Sequence, residues 1–141
     1  MNDFDSSIPI ISLWMPWANW VMLGWKIIET RRHRRFAGLA GKRIGIHATA
    51  KWDYGAIDAA RPYLTEQRIF DSYSFFKIGG AILGTVQAAE HRRLDGKDSR
   101  HALIDCETVE RHGLILLEPR IIEAIPARGK QGIWYWKGTT E

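Results

Sequence analysis

The sequence predicts an α+β fold, namely a small, mostly antiparallel β-barrel with helices over its openings. Its candidate strands are short, rich in isoleucine and separated by turn-forming residues. They do not alternate regularly with helices, which argues against a parallel, doubly wound sheet. One helical stretch, over residues 53–73, interrupts the order of strands. Together these observations favour the barrel.

The first part of the chain is predicted to form a strand, a helix and a second strand. Residues Ile8–Leu13 are rich in isoleucine, as is typical of a strand. Pro16 suits the first turn of a helix, because the N–H that it lacks is not needed there. The segment Trp17–Leu23 is apolar on nearly all sides, which predicts a buried helix that ends at Gly24. Lys26–Arg31 then returns to the alternation of a strand.

The middle and end of the chain are predicted to be richer in strands. Lys42–Thr49 alternates as a strand, and Asp53–Tyr73 is helical with a break near Pro62. Ala81–Ala89 is a long strand in which Gly84 marks a bend or a bulge. The remaining predicted elements are a helix over Ser99–His112 and strands over Leu114–Leu117, Ile121–Ile125 and Gly132–Lys137.

The composition predicts a single globular domain. The chain of 141 residues is long enough for one ordinary core, and 45% hydrophobic with 26% charged residues is typical of soluble proteins. No apolar stretch approaches the roughly 20 residues that cross a bilayer. The single cysteine, Cys106, excludes an internal disulfide and is expected to act as a small apolar residue. We therefore expect one cytoplasmic domain over residues 1–141, with no membrane segment.

Positive charge is concentrated in three blocks. The first is Arg31–Arg35, with four arginines and one histidine; the others are His91–Arg93 and the pair Arg128 and Lys130. Acidic residues gather instead within residues 95–110. This distribution predicts a polyanionic partner. For any one block, a solvated charged surface is an equally good explanation.

The motifs of several common enzyme classes are absent from the sequence. It has no phosphate-binding Gly-rich loop, no Cys or His pairs at zinc spacing, and no nucleophilic Ser elbow. The five histidines are scattered, and we expect His91, His101 and His112 at the surface. The sequence therefore predicts no metal site.

The segment that begins at Lys26 is the strongest candidate for a functional site. Glu29 follows three residues later and Arg31 two beyond that, so a carboxylate stands between two cations. Such a carboxylate stays ionised, and it can hold a cation or accept a hydrogen bond from a ligand amine. Strict strand alternation places Lys26 on the opposite face from the other two, unless its long stem turns around the strand end. The alternative interpretation is a surface ion pair worth roughly 0–1 kcal/mol.

Aromatic residues and one histidine extend this candidate site. Four of the seven tryptophans lie within residues 14–25. Most are expected in the core, but Trp14 or Trp17 can floor a pocket beside the cationic strand and stack a base. His47 shares a strand face with Gly45, which has no side chain to block access. His47 is therefore either a group that faces a cleft and titrates near neutrality, or a structural histidine.

Four segments resemble the motifs of one known family, the ASCH domains. The family's opening signature, a strand followed by Pro-Trp-Ala and Gly-x-Lys-x-x-Glu-x-Arg, resembles Ile11–Arg31, ISLWMPWANWVMLGWKIIETR. Its next strand is similar to Arg43–Ala48, RIGIHA, and the strand after its helical insertion to Gly80–Gln87, GAILGTVQ. Its closing segment is similar to Leu116–Trp136, LLEPRIIEAIPARGKQGIWYW. The resemblance covers nearly the whole chain and keeps the family's order.

The resemblance implies a fold, a cleft and two kinds of function. The fold is a β-barrel related to PUA domains, in which the Lys-x-x-Glu strand lines a cleft and the first helix covers it. The functions are RNA binding and chemistry on nucleotides. Some small bacterial members deacylate acetylated cytidine with a lysine, a threonine and a glutamate, and another is linked to RNA cleavage. No metal or organic cofactor is typical of the deacylases.

Carried over residue by residue, the resemblance gives an incomplete set of deacylase groups. Lys26 matches the position of the lysine that the deacylases share with the other ASCH domains. At the threonine position of the deacylases this chain has Glu29, and Thr30 is one residue out of register. Candidates for the distal glutamate are Glu90 and Glu118. The missing threonine favours binding over deacylation.

The leading prediction is an RNA-binding or nucleotide-binding domain with a Lys-x-x-Glu-x-Arg cleft and no cofactor. The alternative is a small hydrolase that acts on a modified nucleoside, such as an acylcytidine, or on RNA. In that case Lys26 is the central catalytic group, and Glu29 orients it or a water. The predicted ligand-binding residues are Trp17, Lys26, Glu29, Arg31, His47 and Lys130.

Overall fold

The computed structural model describes residues 4–138, so both ends of the predicted domain over 1–141 lie outside the described range. Within it the chain forms six strands and four short helices, joined by turns of 3₁₀ helix. Their bounds are β1 (Pro9–Met15), α1 (Trp17–Met22), β2 (Ile28–Arg31), β3 (Arg43–Trp52), α2 (Ala56–Ala60), α3 (Glu66–Ser72), β4 (Ala81–Arg93), α4 (Ser99–Ala102), β5 (His112–Pro126) and β6 (Trp134–Tyr135).

The six strands form one sheet in the order β2-β5-β4-β3-β1-β6. β1 and β3 are parallel, and the other neighbouring pairs are antiparallel. The predicted α+β class with a mostly antiparallel sheet is therefore confirmed. The prediction of a closed barrel is wrong, because the edge strands β2 and β6 do not pair with each other. With four and two residues, these strands offer few backbone groups for a closing ladder.

The bend or bulge predicted at Gly84 is present as a shift of strand register. The register of β4 on β5 shifts between Ile82 and Gly84. A side chain at Gly84 would collide with the backbone carbonyl oxygen of Arg120 on β5 and with the side chain of Met22. Glycine is therefore required here for the close approach of two backbones.

The core lies between α1, the sheet and the helical insertion, which spans α2 and α3. Trp20 of α1 is fully buried, and its Nε1–H donates to the hydroxyl of Ser72 over 2.8 Å. That hydroxyl in turn donates to the carbonyl oxygen of Arg68 over 2.6 Å. The insertion is thus joined to α1 by buried polar contacts as well as by apolar packing. None of the helices within residues 4–138 is long and apolar enough to span a bilayer.

The predicted helix over Ser99–His112 is wrong beyond its first turn. Helix α4 ends at Ala102, and Leu103 takes a left-handed backbone with φ 58°. The side chain of Asp105 then accepts hydrogen bonds from the backbone N–H groups of Glu107 and Thr108. Asp favours such local turns over a continuing helix. The two strands predicted on either side of residues 118–120 are a single strand, β5.

Candidate functional site

A cleft of about 1020 Å³ opens beside the C-terminal halves of β1 and β3. Its other walls come from the start of α1, from β2, and from the segment Ala127–Gly132 that follows β5. The parallel register of β1 on β3 sets Ser12 beside His47, and both side chains line the cleft. The cleft also brings together the six ligand-binding residues predicted from sequence, which are Trp17, Lys26, Glu29, Arg31, His47 and Lys130.

Lys26 reaches the cleft because it precedes the strand. Its backbone N–H donates to the carbonyl oxygen of Trp20 over 3.0 Å, and β2 begins two residues later at Ile28. Strand alternation therefore does not govern its direction, and it lines the same cleft as Glu29. The side chain is 2% exposed. Its ammonium group donates to the carbonyl oxygen of Ala102 and lies 4.8 Å from the centre of the Trp17 ring.

The surroundings of Lys26 lower the pKa of its amine towards neutral pH. Burial lowers the pKa of Lys26 from 10.5 to about 8, while the charge of Glu29 acts in the opposite direction. The positive charges of Arg111 and Arg31 lower the pKa further. A charged amine this deeply enclosed is more often found at functional sites than in ordinary cores.

Glu29 and Arg31 form the carboxylate–guanidinium pair of the site. Nη2 of Arg31 lies 3.1 Å from Oε2 of Glu29, which is almost fully buried. The guanidinium carbon also lies 5.2 Å from the centre of the Phe36 ring. Nε of Arg31 is buried and, within residues 4–138, donates no hydrogen bond. Arg31 therefore keeps a free N–H donor within the cleft wall.

Of the two candidate aromatic groups, Trp14 has the more open ring. Trp17 donates its Nε1–H to Oδ2 of Asp53 over 2.7 Å and meets Trp20 edge to face. With Lys26 over its ring as well, Trp17 positions groups of the cleft. Trp14 is 48% exposed, and the ammonium group of Lys51 lies 5.3 Å from the centre of its ring.

One ring nitrogen of His47 forms a hydrogen bond, and the other has no partner among residues 4–138. Its Nε2–H donates to the carbonyl oxygen of Ala127 over 2.7 Å, since a carbonyl can only accept. Its Nδ1 is buried and accepts no hydrogen bond from residues 4–138. Burial lowers the pKa of His47, which leaves the ring neutral at pH 7. The expectation that Gly45 gives access to this ring is wrong, because the space above Gly45 is filled by the rings and chains of Phe4 and Ile10.

Comparison of the sequence with family models and with curated proteins finds no match. Solved structures do match. The crystal structure of ASCH from Zymomonas mobilis is 18% identical in sequence with a TM-score of 0.58, over 94% of this chain and 90% of that one. A mutant of the same protein is 18% identical with a TM-score of 0.57, over 94% and 90% of the two chains. The chain has the ASCH fold.

The cleft of this ASCH fold is strongly cationic. Among the described residues, seven lysine or arginine side chains and two carboxylates line it. Its formal charge of +5 therefore exceeds the +4 of the whole chain. Clefts lined by one sign of charge concentrate oppositely charged ligands. The cationic lining residues are Lys26, Arg31, Arg35, Lys51, Arg111, Arg128 and Lys130.

Sequence reasoning missed three charged residues of this ASCH cleft. Lys51 lies near the end of β3, the strand that carries His47, and Asp53 directly follows this strand. Both line the cleft because β3 extends to Trp52. Arg111 precedes β5, and its Nε–H donates to the carbonyl oxygen of Asp105 over 2.8 Å. No local sequence pattern indicates that Arg111 lines the cleft, because the sequence predicts a helix where the structure has the turn that positions this residue.

Proposed function

We propose that the cleft binds RNA through one enclosed nucleotide. The observation that carries this proposal is the charge of the lining, which exceeds the net charge of the entire chain. A cationic groove with aromatic groups is the general means by which proteins hold single-stranded nucleic acid. The ASCH fold is consistent with this proposal.

The lining groups are placed to contact different parts of a nucleotide. Exposed Lys130 and Arg128 are available to phosphate oxygens. The half-exposed Trp14 offers a ring on which a base can stack. The carboxylate of Glu29 is an acceptor, so it selects base edges that present N–H donors.

Lys26 supplies a positive charge at the enclosed end of the cleft. An ammonium group has three protons, and that of Lys26 gives one to the carbonyl oxygen of Ala102. An anionic or carbonyl oxygen of the ligand can accept another. Because the site excludes water, such a charge-assisted hydrogen bond is stronger than one at the surface.

Fluorescence anisotropy of a labelled RNA oligomer tests this proposal. We expect binding at low salt that weakens linearly with the logarithm of the salt concentration. Lys130→Ala should reduce the slope by about 1, since one phosphate contact is lost. Lys97→Ala is the matched control, because Lys97 is an equally exposed lysine that does not line the cleft. Absence of binding by the wild-type protein at low salt would refute the proposal.

A second candidate function is hydrolysis of an acylated nucleoside, and the buried Lys26 favours it. With a pKa of about 8, a useful fraction of this amine is neutral near pH 7. A neutral amine can take a proton from water as the water attacks the acyl carbonyl carbon. The resulting ammonium group then returns that proton to the nucleoside nitrogen as the acyl C–N bond breaks, which releases the carboxylic acid and the nucleoside amine. The negative charge of Glu29 can orient that water, in place of the threonine that the deacylases have.

Mass spectrometry of acylated cytidines incubated with the protein tests this second function. We expect loss of the acyl group at a rate that rises with pH, reaches half of its maximum at about pH 8, where half of Lys26 is neutral, and levels off above it. Lys26→Met should abolish turnover, while circular dichroism shows an intact fold. If the substrates stay intact, or if Lys26→Met turns them over equally well, this candidate is excluded for these ligands.

A further inference from the structure

A cluster of three histidines and one arginine lies beside the cleft, and one of its members also lines the cleft. We call it the histidine patch and define it as His33, Arg34, His91 and His112. The rings of His91 on β4 and His112 on β5 stack, with centroids 6.1 Å apart and planes inclined by 8°. The register of these strands sets Arg93 opposite His112 and Leu114 opposite His91, which brings the two imidazoles to one face.

His33 connects this patch to the cleft. It lies two residues after the end of β2 and lines the cleft, whereas Arg34, His91 and His112 do not. Its Nδ1 accepts a hydrogen bond from the backbone N–H of Arg35 over 3.1 Å. In its neutral form the ring therefore carries its proton on Nε2, which leaves a donor for a ligand.

The charges of the patch are not balanced by carboxylates. Within residues 4–138, Arg34 forms no ion pair, and neither does Arg35. The nearest neighbours along β4 are already engaged: Arg92 pairs with Glu90 and Asp98, and Arg93 pairs with Glu110. Within the described residues, Arg34 therefore gives the patch an unpaired positive charge, to which the imidazoles add when they are protonated.

Burial and neighbouring positive charges lower the pKa values of two histidines in the patch. Burial lowers the pKa of His91, and the charges of His112, Arg34 and His33 lower it further. Burial also lowers the pKa of His33, together with the charges of Arg35, Arg31 and His112. His33 and His91 are therefore neutral at pH 7.5, and an anion placed among them favours their protonated forms.

We infer that the histidine patch binds the phosphodiester backbone of an RNA chain beyond the nucleotide in the cleft, and does so more tightly as the pH falls. This inference rests on the proposed function. It specifies that the ligand is a polynucleotide, since His91 and His112 do not line the cleft that holds the first nucleotide. A metal ion is a poorer occupant, because within the described residues no group of three His, Cys, Asp or Glu side chains is placed to hold one.

The sign of the pH dependence follows from proton uptake. A phosphate near His33 and His91 raises the pKa of both rings above the values in the free protein. Binding therefore takes up protons between the two sets of values, and the affinity rises as the pH falls through this range. Because the pKa values of both rings in the free protein are lowered from 6.5, the lower end of this range lies below pH 6.5.

Anisotropy with two RNA lengths tests the inference. A labelled dinucleotide and a labelled oligomer of about ten nucleotides are compared at about pH 6 and about pH 7.5. The test variant is His91→Gln/His112→Gln. The control is His101→Gln, because His101 is exposed on α4 and belongs to neither the cleft nor the patch.

We expect the wild-type protein to bind the oligomer about 3- to 10-fold more tightly at the lower pH. In His91→Gln/His112→Gln this gain should largely disappear, while dinucleotide binding stays as in the wild type. Arg34→Ala should weaken oligomer binding at both pH values and leave the dinucleotide unaffected. His101→Gln should behave as the wild type does.

Two different failures are distinguishable in this experiment. If the dinucleotide binds but the oligomer shows the same affinity and pH dependence in wild type and double variant, the patch has no role and the cleft proposal stands. If neither RNA binds the wild-type protein, the proposed function and this inference both fall.

Discussion

The ammonium nitrogen of Lys26 lies 4.8 Å from the centre of the Trp17 ring, at the enclosed end of the cleft. The same nitrogen donates to the carbonyl oxygen of Ala102, which is the last residue of α4. Trp17 is itself fixed by its hydrogen bond to Asp53. The amine is therefore held by groups from α1 and α4. Removal from water disfavours the charged form of the amine, and these contacts only partly offset that free-energy cost.

Replacing Lys26 with methionine is expected to stabilise the protein near pH 7. Burial lowers the pKa of Lys26 from 10.5 to about 8, so the unfolded chain binds this proton more tightly than the folded one. The difference corresponds to about 3 kcal/mol against folding. This cost is fully present below pH 8 and is relieved as the pH rises towards 10.5. Urea denaturation at about pH 7 should give a higher free energy of unfolding for Lys26→Met, and RNA binding should fall.

The exposed Lys97 provides the control for this measurement. Lys97→Met removes a lysine of the same size from the surface, so its free energy of unfolding should stay within about 0.5 kcal/mol of the wild type. If Lys26→Met proves less stable than the wild type, the contacts of the amine with Ala102 and Trp17 outweigh the cost of burial. The prediction is then wrong.

Replacing Glu29 with glutamine is expected to lower the pKa of Lys26 below about 8, because the charge of Glu29 now acts to raise it. The amine should then lose its proton at a lower pH. RNA affinity should accordingly begin to decline at a lower pH in Glu29→Gln than in the wild type. Anisotropy measured between about pH 6 and pH 10 gives the two midpoints. Glu123→Gln is the control, since Glu123 is exposed and does not line the cleft, and equal midpoints for all three proteins would contradict the prediction.

Much of the fold was predictable because its signals are local. The apolar stretch of Trp17–Leu23 and the stop at Gly24 gave α1 within one residue, and Gly24 takes a left-handed backbone with φ 76°. Alternation gave β3 and β4, whose observed ends lie a few residues beyond those predicted. Closure of a sheet depends instead on whether its two edges meet, which alternation along single strands does not encode.

The candidate site was predictable in membership and unpredictable in geometry. The six predicted residues share one cleft, although three separate segments of the chain supply them. The burial of Lys26 depends on Ala102, which lies 76 residues further along the chain. Similarly, the tautomer of His47 depends on Ala127, 80 residues away. Such long-range partners leave no trace in the residues around a motif.

Replacing Trp14 with alanine is expected to weaken RNA binding by about 10- to 100-fold, since stacking contributes about 1–3 kcal/mol per base. The salt dependence should not change, because no charge is removed. The side chain is 48% exposed, so the free energy of unfolding should change little. Phe70→Ala is the control: Phe70 is 73% exposed on α3 and does not line the cleft. Equal loss of affinity in both variants would argue against stacking on Trp14.

Replacing Gly129 with alanine is expected to weaken RNA binding by displacing the segment that carries Lys130. A Cβ atom at this position would lie 2.5 Å from Cε1 and 2.7 Å from Nδ1 of His47, and 2.8 Å from the hydroxyl of Ser12. The imidazole is held in place, because it donates a hydrogen bond to the carbonyl oxygen of Ala127 and packs edge to face on Trp134, with ring centroids 5.4 Å apart. The segment must therefore shift, at a cost of about 1–3 kcal/mol in the free energy of unfolding.

Gly38→Ala is the matched control for Gly129→Ala, because a Cβ atom there meets nothing within 4 Å and the glycine has no left-handed backbone. Its RNA affinity and its free energy of unfolding should stay close to those of the wild type. In Gly129→Ala both quantities should fall, and the salt dependence should also decrease as Lys130 moves away from phosphate. If Gly129→Ala binds RNA with unchanged affinity and slope, the segment over His47 does not help to form the binding site, and Lys130 acts from another position.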